Sequence, residues 1–396
     1  MDSARVVVLY EDTSRSTALF EELARRGIPF EKWFIHEGIL LPTAPPAPDW
    51  KNCVFFSRLS PSAKERDHGR SLPFGRIVLS WLEAHELAVW NGSRALDLDT
   101  SKSLQVLTLS KYGIDTPRST LVVGKGQLVE TARRTFGPVQ PFYCKPDQGG
   151  SGTGVQCVED ADTLAFALRA DKLSEAPNDL YLLQEAIGSR CGDPSRVLYR
   201  AEFVAGELVY TMRIVAQKAH YSLCPCDAWR SSSTSFTRLA APPPETNGPA
   251  WVRFLEGVHA FMMDNAILVC GIEFAFRPGV PSPVVFDVNM NTNYAPHIEA
   301  DMDANHGGGA LARLAQSLAS QFMVEEEEEE EEVEEEEEEE KEKLTVKLAS
   351  PDCIVSSHPE LFDELARGVK ISQDRLTGAV LLETECSVVS CYGDKT

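Results

Sequence analysis

The chain has 396 residues, 43% of them apolar and 25% charged, a balance that excludes a wholly disordered protein and a length that predicts two or three domains. Its formal charge of −22 is concentrated, because residues 325–343 hold sixteen Glu and two Lys, a net of −14, which leaves −8 for everything else. A mildly acidic body lacks the clustered Lys and Arg of a general nucleic-acid surface. No run approaches the ~18 apolar residues of a membrane span, and the start, Met1-Asp-Ser-Ala-Arg5, lacks the order of a signal peptide. The expectation is a cytoplasmic protein that acts on neither nucleic acid nor membrane. The ten cysteines are scattered singly apart from Cys224-Pro-Cys226, with no zinc-like spacing, and read as reduced thiols.

Taken in chain order, Arg5-Val-Val-Val-Leu-Tyr10 reads as a strand, and Ser14 to Arg26 places Leu19 and Leu23 at helical spacing before Gly27. Phe30 to Ile35 and Cys53 to Ser57 read as further strands, which predicts a small α/β domain with a parallel sheet over residues 1–95. Pro42 to Pro48 is a proline-stiffened loop within it. A helix is expected over 102–117, stopped by Gly113 and Pro117. A strand, a glycine loop, a second strand, a helix over Asp160 to Leu173 and a strand over Leu180 to Gln184 then complete a domain at 96–188. Strands over Val197 to Val215, a surface loop over Ser231 to Thr246, an amphipathic helix over Trp251 to Asn265, two strands and a helix over Gly308 to Met323 make a third, 189–324. The glutamate run at 325–343 is a self-repelling linker. Residues 344–396 are an extension with strand-like stretches such as Gly378 to Thr384.

Two segments carry chemistry. In Phe142-Tyr-Cys-Lys-Pro-Asp-Gln-Gly-Gly-Ser-Gly-Thr-Gly-Val155 an apolar strand delivers Lys145, and Gly149, Gly150, Ser151, Gly152, Thr153 and Gly154 follow. Glycine lets backbone N–H groups approach phosphate oxygens, and the lysine adds a full charge beside them. This is not a P-loop, since no Lys-Ser/Thr follows the last glycine, nor a dinucleotide fingerprint, since a strand follows rather than a helix. By itself it reads equally as a mobile turn. In the second segment, Cys270-Gly-Ile-Glu-Phe-Ala-Phe276 and Val284-Val-Phe-Asp-Val-Asn-Met290 flank a turn, and a hairpin centred on Val280 sets Glu273 opposite Asp287. Facing like charges destabilise a sheet unless a cation neutralises them. Asp287 and Asn289 share a strand face, so three oxygen donors converge in a pattern that suits Mg²⁺. The alternative is a pair of acids on a wet sheet face. The basic stretch Arg58 to Arg70 reads as a grip on an acidic substrate or as a solvated loop, and Asn293, Tyr294 and His297 as substrate contacts or an ordinary polar turn.

In this order and spacing the two segments resemble the ATP-grasp superfamily, over roughly residues 5–320. The resemblance implies an α+β and α/β architecture: an ATP-grasp fold, in which two α+β subdomains clasp ATP, preceded by a small parallel-sheet domain. It implies nucleotide contacts at Lys102, Lys145, the 149–154 loop, Gln184, Glu185 and the backbone of Ala186 and Ile187. It implies metal ligands at Glu273, Asp287 and Asn289, with Mg²⁺ or Mn²⁺ as the ion. Within the superfamily the chain looks most like glutamate-adding and glutathione-synthetase-like carboxylate-amine ligases and a bacterial ATP-grasp group. The latter likeness rests on Arg58-Leu-Ser-Pro-Ser62, Asn91-Gly-Ser-Arg-Ala95, Tyr199 to Gly206 and Asn289-Met-Asn-Thr-Asn-Tyr294. The implied reaction joins a carboxylate to an amine through an acylphosphate. Many such ligases carry an Arg two residues before the first metal acid, where this chain has Gly271, and a Ser-Pro-Gly type turn where it has Asn291 to Tyr294. Arg200 and Arg213 are the candidates to replace that arginine. The expected partners are a small carboxylate and a small amine, with a homodimer and basic proteins at the acidic tract as further candidates. A non-catalytic ATP-binding module and an acidic-tract scaffold are the alternative functional readings.

Overall fold

In the computed structural model the described residues are 4–38, 45–138, 140–187, 197–216, 234–321 and three short stretches, 370–373, 380–384 and 387–391. The chain forms two compact units, Met1–Phe322 and Met323–Thr396. Among the described residues of the second, β14 (Lys370–Gln373), β15 (Val380–Thr384) and β16 (Ser387–Cys391) form an antiparallel sheet in that order. Part of the strand-like run at 378–384 therefore does pair. The glutamate run and Cys224-Pro-Cys226 lie outside the described residues, as does part of the Pro42 to Pro48 loop.

The first unit opens with a parallel sheet of β1 (Arg5–Tyr10), β2 (Phe30–Phe34), β3 (Cys53–Arg58) and β4 (Ala88–Trp90), in the order β2-β1-β3-β4. Its central strands are apolar without interruption because both faces are covered. Val7, Leu9 and Phe55 pack with Val78, Leu79 and Leu82 of α2 (Ser71–Ala84), while Val6, Val8 and Phe56 join a second core on the other face. The crossover helix α1 (Thr13–Arg25) is capped by Asp12, whose carboxylate accepts the N–H groups of Ser14 and Arg15. The strand order reverses between β1 and β3, so a crevice opens past their carboxyl ends, where Glu11, Asp12, Ser60 and Ser62 emerge. Two short helices follow, α3 (Ser93–Asp99) and α4 (Lys102–Leu109). The helix expected over 102–117 is thus shorter, passing into a 3₁₀ turn and ending at Gly113 with φ 68°. Helices α2 and α3 were not expected.

A second sheet contains β5 (Ser119–Val123), β6 (Phe142–Pro146), β7 (Gln156–Val158) and β8 (Leu180–Glu185), antiparallel in the order β5-β8-β6-β7. Helices α5 (Leu128–Phe136) and α6 (Ala161–Arg169) bury Leu128, Phe136 and Leu164 against Phe142, Tyr181 and Leu183. The third sheet, also antiparallel, contains β9 (Val197–Val204), β10 (Glu207–Ala216), β11 (Thr234–Arg238), β12 (Val269–Ala275) and β13 (Val284–Asn289), in the order β11-β10-β9-β12-β13. Strand β11 corrects the surface loop expected over 231–246. Thr234-Ser-Phe-Thr-Arg238 pairs with β10 from Ala216 back to Met212 and buries Phe236, so a β-forming alternation outweighs the polar composition. On one face of this sheet Tyr199, Ala201, Phe203, Ile272 and Phe274 pack on Phe254, Val258 and Phe261 of α7 (Gly248–Asp264). The opposite face carries the polar row described next. Helix α8 (Pro296–Asn305) and a further helix, α9, over residues 310–321 close the unit.

Asn91, in the left-handed region at φ 52°, ties the end of the parallel sheet to the third sheet. Its Nδ2 donates to the carbonyls of Val269 (2.7 Å) and Met290 (2.9 Å), and its Oδ1 accepts the N–H groups of Leu268 and Val269. Cys53, Cys144 and Cys270 are buried free thiols, as expected. Cys157 is disulfide-bonded, which corrects the reading of all ten as reduced, since spacing along the chain says nothing of which thiols fold close together.

Candidate functional site

Three neighbouring strands set the polar face. Arg200 on β9, Glu273 on β12 and Asp287 on β13 lie abreast, and two residues along, Glu202, Gly271 and Asn289 lie abreast in the same way. The facing of Glu273 and Asp287 expected from the hairpin is present, although a bulge immediately beyond it pairs Phe274 with Val285. Glu273 is 5% exposed. Burial raises its carboxyl above the usual range, against the pull of Arg200 and with a further push from Asp287. The Nδ2 of Asn289 donates to Asp287 Oδ2 at 3.3 Å, which turns its amide oxygen the other way as an acceptor. Among the described residues no group of three or more His, Cys, Asp or Glu side chains forms a metal cage. Two carboxylates and one amide oxygen nonetheless fit a hard cation that completes its shell with phosphate and water, although Arg200 already pairs with Glu273 at 2.7 Å and Lys102 lies 3.8 Å from Asp287.

Opposite them stand the lysines. Lys145, on β6, is 6% exposed and sends its Nζ to the carbonyl of Phe286 (3.4 Å), the residue before Asp287. Burial pulls its ammonium down to about 8, with Asp287 working against that shift. Lys102 begins α4 and donates its Nζ to Gly149 O (2.7 Å), with Asp287 Oδ1 at 3.8 Å. Asp147 holds it there: its carboxylate accepts Ser101 Oγ–H and the Ser103 N–H, both at 2.8 Å, and its backbone carbonyl accepts the Lys102 N–H. One residue thus joins the strand bearing Lys145 to the helix bearing Lys102.

The glycine loop is packed rather than loose. A Cβ at Gly150 would lie 3.0 Å from the Ser62 Cβ, and one at Gly154, already at φ 73°, would lie 2.8 Å from the Pro146 ring. Ser151, at φ 52°, accepts from Arg15 (3.0 Å), and Thr153 donates to Glu65 (3.0 Å).

Lys102, Lys145, Gly149, Gly150, Ser151, Gly152, Thr153, Gln184, Glu185, Ile187, Glu273 and Asp287 line one cleft, with Tyr143, Leu198, Ala275 and Phe286 as its apolar wall. At its far end a smaller polar pocket shares Gly150 to Gly152, Glu273 and Asp287 and adds Arg15, Ser60, Ser62, Asp99, Arg200, Asn289, Asn291 and Asn293. This is the crevice past β1 and β3. Gly154 sits behind the loop, and the Ala186 N–H is taken by the Pro141 carbonyl. Glu185 pairs with Arg277 at 2.8 Å.

The two candidate arginines separate. Met212, not Arg213, sits opposite Arg200; Arg213 pairs with Tyr199 and therefore lies on the helix-covered face. The basic Arg58 to Arg70 stretch divides: Lys64 and Arg70 are exposed, whereas Arg58 donates to the carbonyls of Thr292 and Arg15 and to Asn293 Oδ1, and Arg66 pairs with Glu11 (2.6 Å) and Asp12 (3.3 Å). His297 bonds the carbonyl of Phe236, and Tyr294 is half-buried with its hydroxyl oxygen enclosed. Sequence reasoning missed Asp99, Asp147, Glu202 and Thr292. For Asp147 the signal was its place two residues after Lys145. The others have only spatial neighbours to mark them. Asp99, buried and accepting the Met290 N–H (2.9 Å), has a carboxyl raised to about 7 by burial.

This arrangement of sheets is the ATP-grasp fold. The chain is similar to the ATP-grasp ligase PsnB in complex with a minimal precursor, at 18% identity and a TM-score of 0.55 over 81% of this chain and 100% of that one. It is similar to the D-cycloserine synthetase DcsG at 16% and 0.53, over 80% and 99%. The D-alanine–D-alanine ligase of Bacillus anthracis, complexed with ATP, matches at 14% and 0.52, over 83% and 99%. No protein-family model and no curated protein matches the sequence.

Proposed function

We propose that the protein is an ATP- and Mg²⁺-dependent ligase that joins a carboxylate to an amine. The observation that carries this reading is the convergence of Lys102, Lys145, the glycine loop and the facing pair Glu273 and Asp287 on a single cleft. The apolar wall takes the adenine ring, with Gln184, Glu185 and the backbone at Ala186 and Ile187 at its edge. Lys102 and Lys145 hold the phosphates from one side, and the N–H groups of the loop hold them from the other. Mg²⁺ at Glu273, Asp287 and Asn289 would neutralise charge on the transferring phosphoryl group. Mn²⁺ suits the same oxygen donors. The fold neighbours agree with this class of chemistry: those described as ligases include one complexed with ATP and one with Mg and ADP.

The polar pocket beyond the loop takes the other reactants. A substrate carboxylate oxygen attacks the γ-phosphorus and ADP leaves. An amine then attacks the acyl carbon of the resulting acylphosphate, which releases phosphate and a proton. Arg200, which lines that pocket, is the cation placed to offset charge on the transferring group. The test is to incubate the protein with ATP, Mg²⁺ and pools of amino acids and hydroxy acids while following ADP and phosphate. Release that depends on one acid pool and one amine pool is the expected result. If ATP binds and no pool raises ADP release above background, a non-catalytic nucleotide-binding module replaces the ligase reading.

A further inference from the structure

Gly271 sits in the middle of the polar face, on the central strand β12, between Glu202 and Asn289. Its φ lies outside the left-handed region, so its backbone does not demand glycine. Space does. A Cβ there would lie 2.8 Å from both Cζ and Nε of Arg200 and closer still to Nη2, distances that real Cβ atoms do not show. The Arg200 guanidinium thus crosses the strand directly over the missing side chain. It is caught on three sides: Nε donates to Glu202 Oε1 (2.6 Å), Nη1 to Glu273 Oε1 (2.7 Å) and Nη2 to Thr292 Oγ1 (2.6 Å). Thr292 in turn donates to Glu202 Oε2 (2.7 Å), which closes a ring. The group is 3% exposed. An arginine fixed in this way cannot search for its target, and its position is set by the residues that leave it room and stop its far end.

We infer that Gly271 and Thr292 are positioning residues that hold the Arg200 guanidinium at the end of the phosphate cleft, where it selects for a terminal phosphate. This rests on the nucleotide reading of the cleft. The smaller pocket that Arg200 lines shares Gly150 to Gly152 with the phosphate cradle, so a phosphate beyond the second one points at it. Gly271→Ala pushes the guanidinium off its three acceptors from beneath. Thr292→Val removes the acceptor at its tip while keeping the side-chain volume, and Thr292→Ser restores that acceptor.

The experiment measures Kd for ADP and for the ATP analogue AMPPNP, each with Mg²⁺, by calorimetry on the full chain and these three variants. The expected result is a wild-type preference for AMPPNP that falls about tenfold or more in Gly271→Ala and Thr292→Val, with ADP affinity within about threefold of wild type and Thr292→Ser close to wild type. A tenfold change corresponds to 1.4 kcal/mol. An unchanged preference in Thr292→Val overturns the inference. So does an equal loss of both nucleotides in both variants, because the effect would then be general damage. A wild type that binds both nucleotides without preference also overturns it and leaves the nucleotide site standing. A wild type that binds neither sinks the nucleotide reading itself.

Discussion

Lys145 is a residue at which pH acts. Burial holds its ammonium near 8 in the free protein, well below the usual value of about 10.4. A depressed base contributes stability that is present above the unfolded value and lost as pH falls to the folded one, so between pH 10 and 8 the free protein loses stability because the unfolded chain's lysine takes a proton that the folded one does not. If the proposed nucleotide site is right, binding should run the other way, because phosphate charge favours the protonated amine. ADP affinity with Mg²⁺ is expected to fall as pH rises past about 8, by up to about tenfold per unit, with proton uptake on binding. Calorimetry in two buffers of different ionisation heat reads both effects, and Lys145→Met should abolish the slope and weaken binding at pH 7. A flat profile between pH 7 and 9.5 in the wild type would count against a phosphate role for this lysine. Asp287→Asn addresses the other side of the cleft. It keeps the shape of the side chain and removes the like charge facing Glu273, so folding stability should stay within about 1 kcal/mol, or rise. Turnover in whichever substrate pool supports it should drop about a hundredfold or more. Unchanged ADP release in that variant would end the assignment of Asp287 as a metal ligand.

Among the elements, the contact between the parallel sheet and the third sheet depends on one side chain. Asn91 satisfies four backbone groups, three of them buried, on the segments that carry Glu273 and Asp287. Asn91→Ala leaves them without partners and puts alanine at a left-handed φ, so a loss of about 2–4 kcal/mol is expected in chemical denaturation. A loss below 1 kcal/mol would mean that water replaces the amide at little cost. Nothing short-range in Asn91-Gly-Ser-Arg-Ala95 announces this role, because the partners are some 180 to 200 positions away. The same contrast runs through the whole site. The facing of Glu273 and Asp287 was legible, since a period of two and a turn of known centre determine which residues oppose. The bulge beyond it was not, because backbone sterics rather than side-chain type produce it. The parallel strands were legible as unbroken apolar runs. Strand β11 was hidden by its polar neighbours. The face that Arg200 and Arg213 each occupy depends on the register of the β9–β10 pair, which no residue type reveals.

At the scale of the whole molecule the chain carries two very unlike parts. Every residue assigned to the cleft and to its neighbouring pocket lies within the unit Met1–Phe322. Three separate sheets of that unit contribute: Lys145, Gln184 and Glu185 come from the second, Arg200, Glu273 and Asp287 from the third, and Arg15 and Ser62 from segments that follow strands of the first. The hydrophobic clusters that hold these sheets are likewise built from residues before 322. The tract at 325–343 brings a net of −14 and almost no apolar surface, so it has nothing with which to support a core. A chain ending at Val324 should therefore fold and bind ADP and Mg²⁺ with Kd within about threefold of the full chain at 0.15 M salt, where the Debye length of about 8 Å limits the reach of the missing charge. At low ionic strength the truncated chain should bind the anionic nucleotide somewhat more tightly, because a strongly negative segment has been removed. Calorimetry at two salt concentrations measures both. A collapse of binding in the truncated chain at 0.15 M salt would show that residues beyond 324 help to build the site, and would move the boundary of the proposed ligase unit toward the carboxyl terminus.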